Sequence, residues 1–310
     1  MKQRFVFQIF AIIFIATTGT GCAGLKDYQK AQNSFNQGAT LEMNIRAKSV
    51  STELPASPDL ERMFPAATPP DPSSRPEAYY NGAYAQVNKA LTKSSKLKSN
   101  DVLGEALTIK SLCEWKLKKY NEACETAKSA AAELDMEQET AARDKVLMAA
   151  LSGLVAIDLA HDTIMKMRKL LLDTAENPDR MSPEQATALY EQSKMHFEEF
   201  VFSRQISRNS IWQGIQTLDD AKMKGESTHP IQRYLLLSQL AGLKNWTDAL
   251  DAIDTAARRL GVKRTNAAAK DWIEGQKEFY RTTRDGYLAK LATLLGSKTE
   301  QAYLDWERIL

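Results

Sequence analysis

The sequence predicts an all-α protein, and three features of its 310 residues indicate this class. Alanine, leucine, lysine, glutamate and glutamine, which all favour helix, dominate the composition. The chain contains only 14 glycines and 10 prolines, and seven of the prolines fall between Pro55 and Pro76. No stretch shows the alternation of β-branched and polar residues that is typical of a half-buried strand. We therefore expect a body of about nine helices.

The first residues are typical of a secretory signal. Lys2 and Arg4 precede an apolar run from Phe5 to Ala16 that only Gln8 interrupts. This run is too short to span a bilayer as a helix, and it suits the apolar region of a signal peptide. We expect residues 1–21 to be the signal peptide.

The sequence Gly19-Thr20-Gly21-Cys22 resembles the lipidation box of bacterial lipoproteins, although Gly19 stands where that family has leucine. The resemblance implies cleavage before Cys22, a diacylglyceryl group on its thiol and an acyl chain such as palmitate on the new amino end. Because Ala23 rather than aspartate follows, it implies the outer membrane of a diderm bacterium, with the body facing the periplasm. The alternative is a leader that is removed without modification of Cys22.

The chain after Cys22 divides by composition into three parts. Residues 22–50 form an N-terminal segment with a predicted helix over 26–46, whose apolar stripe is Tyr28, Ala31, Phe35 and Ala39. Residues 51–77 form a Pro-rich linker, which cannot hold a regular helix and should be extended. Three apolar side chains in this linker are expected to dock on the body: Leu60, Met63 and Phe64.

Residues 78–310 form the predicted helical domain. Capping boxes at Ser182–Gln185 and Ser297–Glu300, together with glycines at 225, 261 and 296, mark the helix ends. The stretch 145–172 is apolar on most faces, which is typical of a buried central helix. The expected helices are 78–96, 99–117, 120–134, 137–175, 183–224, 229–243, 246–260, 265–294 and 298–309, with 137–224 as a long central hairpin.

Two stretches, within 105–134 and 231–260, share the pattern Leu-Lys-x-aromatic-x-acidic-Ala. The pattern begins at Leu117 in the first stretch and at Leu243 in the second. It resembles the tetratricopeptide repeat, a helix hairpin with small residues at the helix crossing and an aromatic residue at the turn. The resemblance implies an α-solenoid body with two such hairpins.

In tetratricopeptide proteins the first helix of each hairpin lines the inner, partner-binding face. That resemblance implies a protein-binding face formed by Thr108, Leu112, Trp115, Lys116, Tyr234, Ser238 and Ala241. The alternative is that these side chains pack against a neighbouring helix.

The remaining cysteines, Cys113 and Cys124, flank the first predicted turn. In an oxidising compartment they can form a disulfide across the hairpin. The alternative is a pair of small buried thiols, since spacing alone does not set the distance between their Cα atoms.

Charge and motifs argue against several functions. Loss of residues 1–21 removes Lys2, Arg4 and no acidic residue, and leaves 39 basic and 39 acidic side chains, so no charge excess favours nucleic-acid binding. No metal-binding or catalytic motif includes the three histidines, and we expect no metal, no cofactor and no enzymatic activity. The lysine-rich stretch 89–101 is either a solvated turn or a contact with anionic lipid or glycan near the anchor.

The favoured function is therefore a non-catalytic, membrane-anchored scaffold or assembly factor for an envelope protein complex. The alternative is a transport accessory lipoprotein that binds a small ligand in an apolar pocket beside 145–172.

Overall fold

A computed structural model describes residues 23–48, 66–134, 139–176, 181–198, 209 and 229–310. Within these residues all the extended regular elements are helices and none is a strand, which confirms the all-α class. The helices, numbered in chain order, are α1 (Ala23–Lys48), α2 (Pro76–Leu91), α3 (Ser94–Lys98), α4 (Leu103–Lys116), α5 (Tyr120–Glu133), α6 (Glu139–Ala175), α7 (183–198), α8 (His229–Arg259), α9 (Val262–Thr265), α10 (Ala267–Leu295) and α11 (Gln301–Ile309).

In the first half of the chain, successive long helices pack on one another. α1 packs against α2, α2 against α4, α4 against α5, and α5 against α6. One hydrophobic cluster fills the space between them and includes Phe35, Val87, Leu112 and Leu147, which are fully buried. The predicted stripe on α1 is buried as expected. The packing is repeat-like, because each long helix contacts chiefly its neighbours in the sequence.

A second hydrophobic cluster lies among α7, α8, α10 and α11. Two long helices contribute to both clusters and pack against each other. α6 places Leu147 in the first cluster and Leu171 in the second, while α8 places Ile231 in the first and Leu240 in the second. Both helices therefore run from the first cluster to the second and join them.

The apolar stretch 145–172 is central only in its first part. Its residues between Val146 and Val155 supply much of the first cluster, whereas Leu159 and Leu170 are exposed. The second arm of the predicted central hairpin is helical over 183–198, and its continuation to residue 224 lies almost entirely outside the described residues.

The prediction of a second repeat hairpin at 231–260 is wrong. The expected turn at 243–246 is helical, and α8 continues through it to Arg259. An ion pair of 2.5 Å between Lys244 Nζ and Asp248 Oδ1 spans the same positions. One apolar face is buried along the whole helix at helical spacing, which favours a continuous helix over a turn; its buried residues include Leu236, Leu240, Leu243, Leu250, Ile253 and Ala257.

α4 and α5 do form the predicted hairpin. Lys118 closes α4 in the left-handed conformation, with φ of 62°. The N–H groups of Lys118 and Lys119 donate to the carbonyl oxygens of Trp115 and Glu114, which is the Schellman arrangement. Across the hairpin, Ser111 Oγ donates to the carbonyl oxygen of Ala123 at 2.8 Å. The small residues therefore meet at the helix crossing, as predicted.

The Pro-rich segment connects two helices that belong to the same unit. α1 and α2 share the first cluster, so α1 packs directly on the helical body that begins with α2. Residues 51–65 of the Pro-rich segment lie outside the described residues.

The end of the Pro-rich segment lies along α1. The side-chain amides of Asn33 and Gln37 donate to Thr68 Oγ1 at 3.2 and 2.9 Å. Pro76 then occupies the first turn of α2, where its missing N–H removes no helix bond. The residues predicted to dock, Leu60, Met63 and Phe64, lie outside the described residues.

The predicted helix boundaries are confirmed at most ends. The capping box of α7 is complete, because Gln185 N donates to Ser182 Oγ at 3.2 Å and Ser182 N donates to Gln185 Oε1 at 2.9 Å. Gly261 and Gly296 end helices with φ of 75° and 76°. The prediction of a second capping box is wrong. Thr299 N donates to Ser297 Oγ within a turn, and α11 starts later, after Glu300.

Candidate functional site

The predicted partner-binding face is mostly buried inside the molecule. Thr108 and Leu112 have no exposed surface, and Trp115 and Tyr234 are each only 5% exposed. Ser238 is half-buried, and the side chain of Ala241 lies outside the described residues. The predicted face is therefore wrong for the buried residues, because α4 lies among α2, α5 and α6, and α8 lies between α6 and α10.

Trp115 and Lys116 instead join four helices at the end of α4. The indole N–H of Trp115 donates to Asp158 Oδ2 on α6 at 2.8 Å. Lys116 Nζ lies 2.9 Å from Glu42 Oε2 on α1, and the Tyr80 hydroxyl on α2 donates to the same oxygen at 2.6 Å. These polar contacts hold the C-terminal part of α1 on the body.

A second set of polar contacts holds the beginning of α1. Lys89 Nζ on α2 lies 3.0 Å from Asp27 Oδ1, and the Tyr28 hydroxyl donates to Glu105 Oε2 on α4 at 2.5 Å. α1 is therefore attached near both of its ends by side chains from two other helices.

A buried carboxyl group on α6 lies close to this second set. Burial raises the pKa of Asp144 to about 6, and the negative charge of Glu105 adds to the rise. The guanidinium of Arg143, whose Nη2 lies 2.6 Å from Asp144 Oδ1, acts in the opposite direction. Burial also raises the pKa of Tyr28, which Glu105 raises further.

The end of the first cluster where α1 begins is rich in lysine. A Cβ atom on Gly24 would lie 3.4 Å from Lys93 Cβ and 3.9 Å from the carbonyl oxygen of Ala90, so the start of α1 touches the end of α2. α1 also packs against α3. We call this region the lysine end; its cations are Lys26, Lys30, Lys89, Lys93, Lys96 and Lys98. Cys22, the predicted lipidation site, lies just outside the described residues.

An aromatic surface is built where α7 meets α10. The indole N–H of Trp272 donates to Glu198 Oε1 at 3.1 Å, and Lys194 Nζ lies 5.5 Å from the centroid of a Trp272 ring. Phe279 lies on the same face of α10, seven residues after Trp272, and is 56% exposed. Its ring centroid lies 5.3 Å from that of the buried Trp246. We call Lys194, Glu198, Trp272 and Phe279 the aromatic surface.

Sequence reasoning missed this surface. Trp272 and Phe279 lie outside the repeat-like stretches, so the comparison of those stretches gave no weight to them. Their spacing of seven residues on a predicted helix does place them on one face, and this was the signal that could have found them.

Charged residues of α8, α9 and α10 form a network around Asp254 on α8. Lys263 Nζ and Lys277 Nζ lie 2.8 and 2.7 Å from its two carboxylate oxygens. Burial raises the pKa of Asp254, but the hydrogen bonds from the two lysines outweigh it and lower the pKa below its usual value. This carboxylate is therefore held ionised as a support between α8, α9 and α10.

The two remaining cysteines are free thiols in the structure. Cys113 is buried in the first cluster, and Cys124 is half-buried. Burial raises the pKa of both thiols, so the reactive thiolate form is disfavoured. The arrangement corresponds to the alternative of two small buried side chains, and the predicted disulfide is not formed.

The described parts of the chain contain no group of three or more His, Cys, Asp or Glu side chains that could hold a metal ion. Among the same residues, no helix is long and apolar enough to cross a membrane. Comparison with protein-family models, with curated proteins and with solved structures finds no match to the chain.

Proposed function

We propose that this protein is a non-catalytic scaffold or assembly factor, anchored by lipid on Cys22 and facing the periplasm from the outer membrane. The lipidation box around Cys22 supports the anchor. The packing of α1 supports a short connection, because α1 starts at Ala23 and is part of the first cluster. A lipid on Cys22 would therefore hold the folded body close to the membrane.

The observation that carries a binding role is the exposure of Phe279 on top of a buried aromatic cluster. Its ring is supported by Trp246, which in turn contacts Phe197 and Tyr280. An aromatic side chain that is rigidly supported and exposed is typical of the residues that dominate protein–protein binding energies. Lys194 and Glu198 supply a polar rim beside Trp272, as interfaces usually have.

We expect the partner to be another envelope protein that presents an apolar side chain to Phe279 and Trp272. The opposite charges of Lys194 and Glu198 give the rim little net charge, so shape and apolar contact should dominate recognition. This surface replaces the buried face of α4 as the candidate site for protein binding.

Affinity purification from detergent-solubilised membranes, with photo-crosslinking at the aromatic surface, tests this proposal. Wild-type protein should recover one envelope complex repeatedly, and Phe279→Ala should reduce its recovery by about tenfold or more, as expected for a dominant contact. Leu304→Ala is the matched control, because Leu304 is also apolar and 43% exposed but lies on α11.

Two outcomes would count against the proposal. Equal recovery with Phe279→Ala and wild type would remove the aromatic surface as the binding site. Recovery of only a bound lipid or metabolite would favour the small-ligand carrier instead. The anchor is tested separately: when the membranes are washed at high salt, which removes electrostatic binding, Cys22→Ala should move the protein from the membrane fraction to the soluble fraction.

A further inference from the structure

The lysine end brings together cations from two separate parts of the sequence. Lys89, Lys93, Lys96 and Lys98 lie within ten residues at the end of α2 and in α3. Lys26 and Lys30 lie exposed in the first turns of α1, whose first turn contains no acidic residue. The contact between Gly24 and Lys93 brings these two groups to the same end of the molecule.

Some of these lysines have partners within the chain. Lys89 pairs with Asp27, and Lys98 Nζ lies 3.0 Å from Glu133 Oε2 at the end of α5. Among the described residues, Lys26, Lys30, Lys93 and Lys96 form no ion pair.

The acidic side chains at this end are fewer than the cations. Asp27 and Glu133 are engaged by lysines, and Glu105 accepts from the Tyr28 hydroxyl. Of the other described carboxyl groups near this end, Asp101 is exposed in the turn after α3, and Asp144 is buried with Arg143 Nη2 2.6 Å from its Oδ1. The lysine end is therefore a local excess of positive charge on a chain whose overall charge is nearly balanced.

We propose that the lysine end binds the headgroups of anionic phospholipids and orients the body on the membrane surface. The geometry favours lipid, because the same end carries the start of α1, one residue after Cys22. The proposal rests on the proposed function for that anchor, but the binding surface itself does not require the lipid.

The location also places these charges where an anionic membrane surface would attract them. Attraction of lysine to an anionic membrane is strong only within about a Debye length, roughly 8–10 Å. Charges beside the first turns of α1 would lie within this distance of the membrane. The helices α10 and α11 pack in the second cluster, at the ends of α6 and α8 away from the lysine end, so their charges would lie farther off.

Vesicle binding by the unlipidated protein tests the proposal. The chain from residue 22 with Cys22→Ser is mixed with vesicles of phosphatidylglycerol and phosphatidylcholine, and with vesicles of phosphatidylcholine alone. We expect tighter binding to the anionic vesicles, and a loss of this preference as salt is added. The double variant Lys93→Glu with Lys96→Glu should bind about tenfold more weakly or worse, since each lysine near such a membrane contributes about fivefold to the affinity.

The matched control is Lys270→Glu with Lys298→Glu, two exposed lysines of the second half. It changes the net charge of the protein by the same amount and should alter binding less than about twofold. Because charge reversal can disturb folding, Lys93→Gln with Lys96→Gln is measured as well and should give an intermediate loss. Circular dichroism checks that each variant keeps its helical content.

Equal affinity for neutral and anionic vesicles would overturn the proposal, as would an equal loss in the control variant. Binding to an anionic glycan polymer but not to the vesicles would also overturn it, since the surface would then recognise glycan. These results leave the fractionation of Cys22→Ala unaffected, so failure of the lysine end is distinguishable from failure of the anchor.

Discussion

Gly38 of α1 lies so close to Tyr80 of α2 that a Cβ atom on it would be 2.8 Å from Cε1 of the tyrosine ring. The same Cβ would lie 3.1 Å from Tyr79 Cβ, so it meets α2 on two sides. Tyr80 is buried, and its hydroxyl is held by Glu42, which prevents the ring from moving aside. The absence of a side chain at Gly38 therefore allows the close approach of the two helices.

We predict that Gly38→Ala destabilises the protein by about 1–3 kcal/mol, because the added methyl group overpacks this contact. This loss occurs although alanine favours helix over glycine by about 1 kcal/mol. Gly275→Ala on α10 is the control, since a Cβ there meets no atom within 4 Å. It should stabilise the protein by about 0.5–1 kcal/mol. Urea unfolding measures both, and a stabilised Gly38→Ala would contradict the close packing of α1.

The raised pKa of Asp144 predicts a pH dependence of stability. The folded state holds this proton up to about pH 6, whereas the unfolded chain releases it near 3.8. The free energy of unfolding should therefore fall as pH rises from 4 to 6, by at most about 3 kcal/mol from this group. The lowered pKa of Asp254 has the opposite effect, because the stability that this carboxylate contributes is lost as pH falls through its pKa.

Comparison of wild type with Asp144→Asn isolates this contribution. The difference in unfolding free energy between the two should change between pH 4 and 6 and stay constant above about pH 7. Asp71→Asn serves as the control, because Asp71 is exposed in the loop before α2 and its pKa is lowered by hydrogen bonds from Ser73. If the unfolding free energies of wild type and Asp144→Asn changed in parallel with pH, the raised pKa of Asp144 would be contradicted.

Lys118 and Lys244 occupy equivalent positions in the two repeat-like stretches. Substitution by glycine should have opposite effects on stability at these two positions. Lys118 is left-handed, a conformation that costs a residue with a side chain about 1 kcal/mol, so Lys118→Gly should stabilise the protein by roughly this amount. Lys244 is inside α8 and pairs with Asp248, so Lys244→Gly should destabilise it by about 1 kcal/mol or more. Thermal unfolding of both variants tests this, and destabilisation by both would argue that 117–119 is also helical.

The burial of the thiols predicts their reactivity. In the native protein, iodoacetamide should modify Cys124 much faster than Cys113, because Cys113 is buried and its thiolate is disfavoured more strongly. After unfolding without a reductant, both thiols should react, and mass spectrometry counts the added groups. Failure of both to react until a reductant is added would show the disulfide that the structure lacks.

The helix periodicity of the sequence was sufficient to predict the all-α class, the stripe on α1 and the α4–α5 hairpin. It was insufficient at α8, because Leu117-Lys118-Lys119-Tyr120 and Leu243-Lys244-Asn245-Trp246 are alike, yet only the first is a turn. Neither stretch contains a residue that requires a turn, so packing decides. In α8, Leu240, Leu243 and Leu250 continue one buried face through the position of the expected turn.

The candidate site was less predictable than the fold. The repeat resemblance placed Thr108, Leu112 and Trp115 on a partner-binding face of α4, but all three are buried between helices. The hydroxyl of Thr108 is satisfied within α4, because Thr108 Oγ1 donates to the carbonyl oxygen of Gly104 at 3.1 Å. The location of Lys93 beside Gly24 depends on the antiparallel packing of α1 and α2, which joins positions almost 70 residues apart in the sequence.

The sharing of α6 and α8 between the two hydrophobic clusters has a consequence for how the protein unfolds. Neither cluster can lose its share of these helices without opening the other, so the two halves should melt in a single cooperative transition. For the same reason, a protease cut between α7 and α8 should leave the two fragments associated, since each fragment retains one of the helices that connect the clusters.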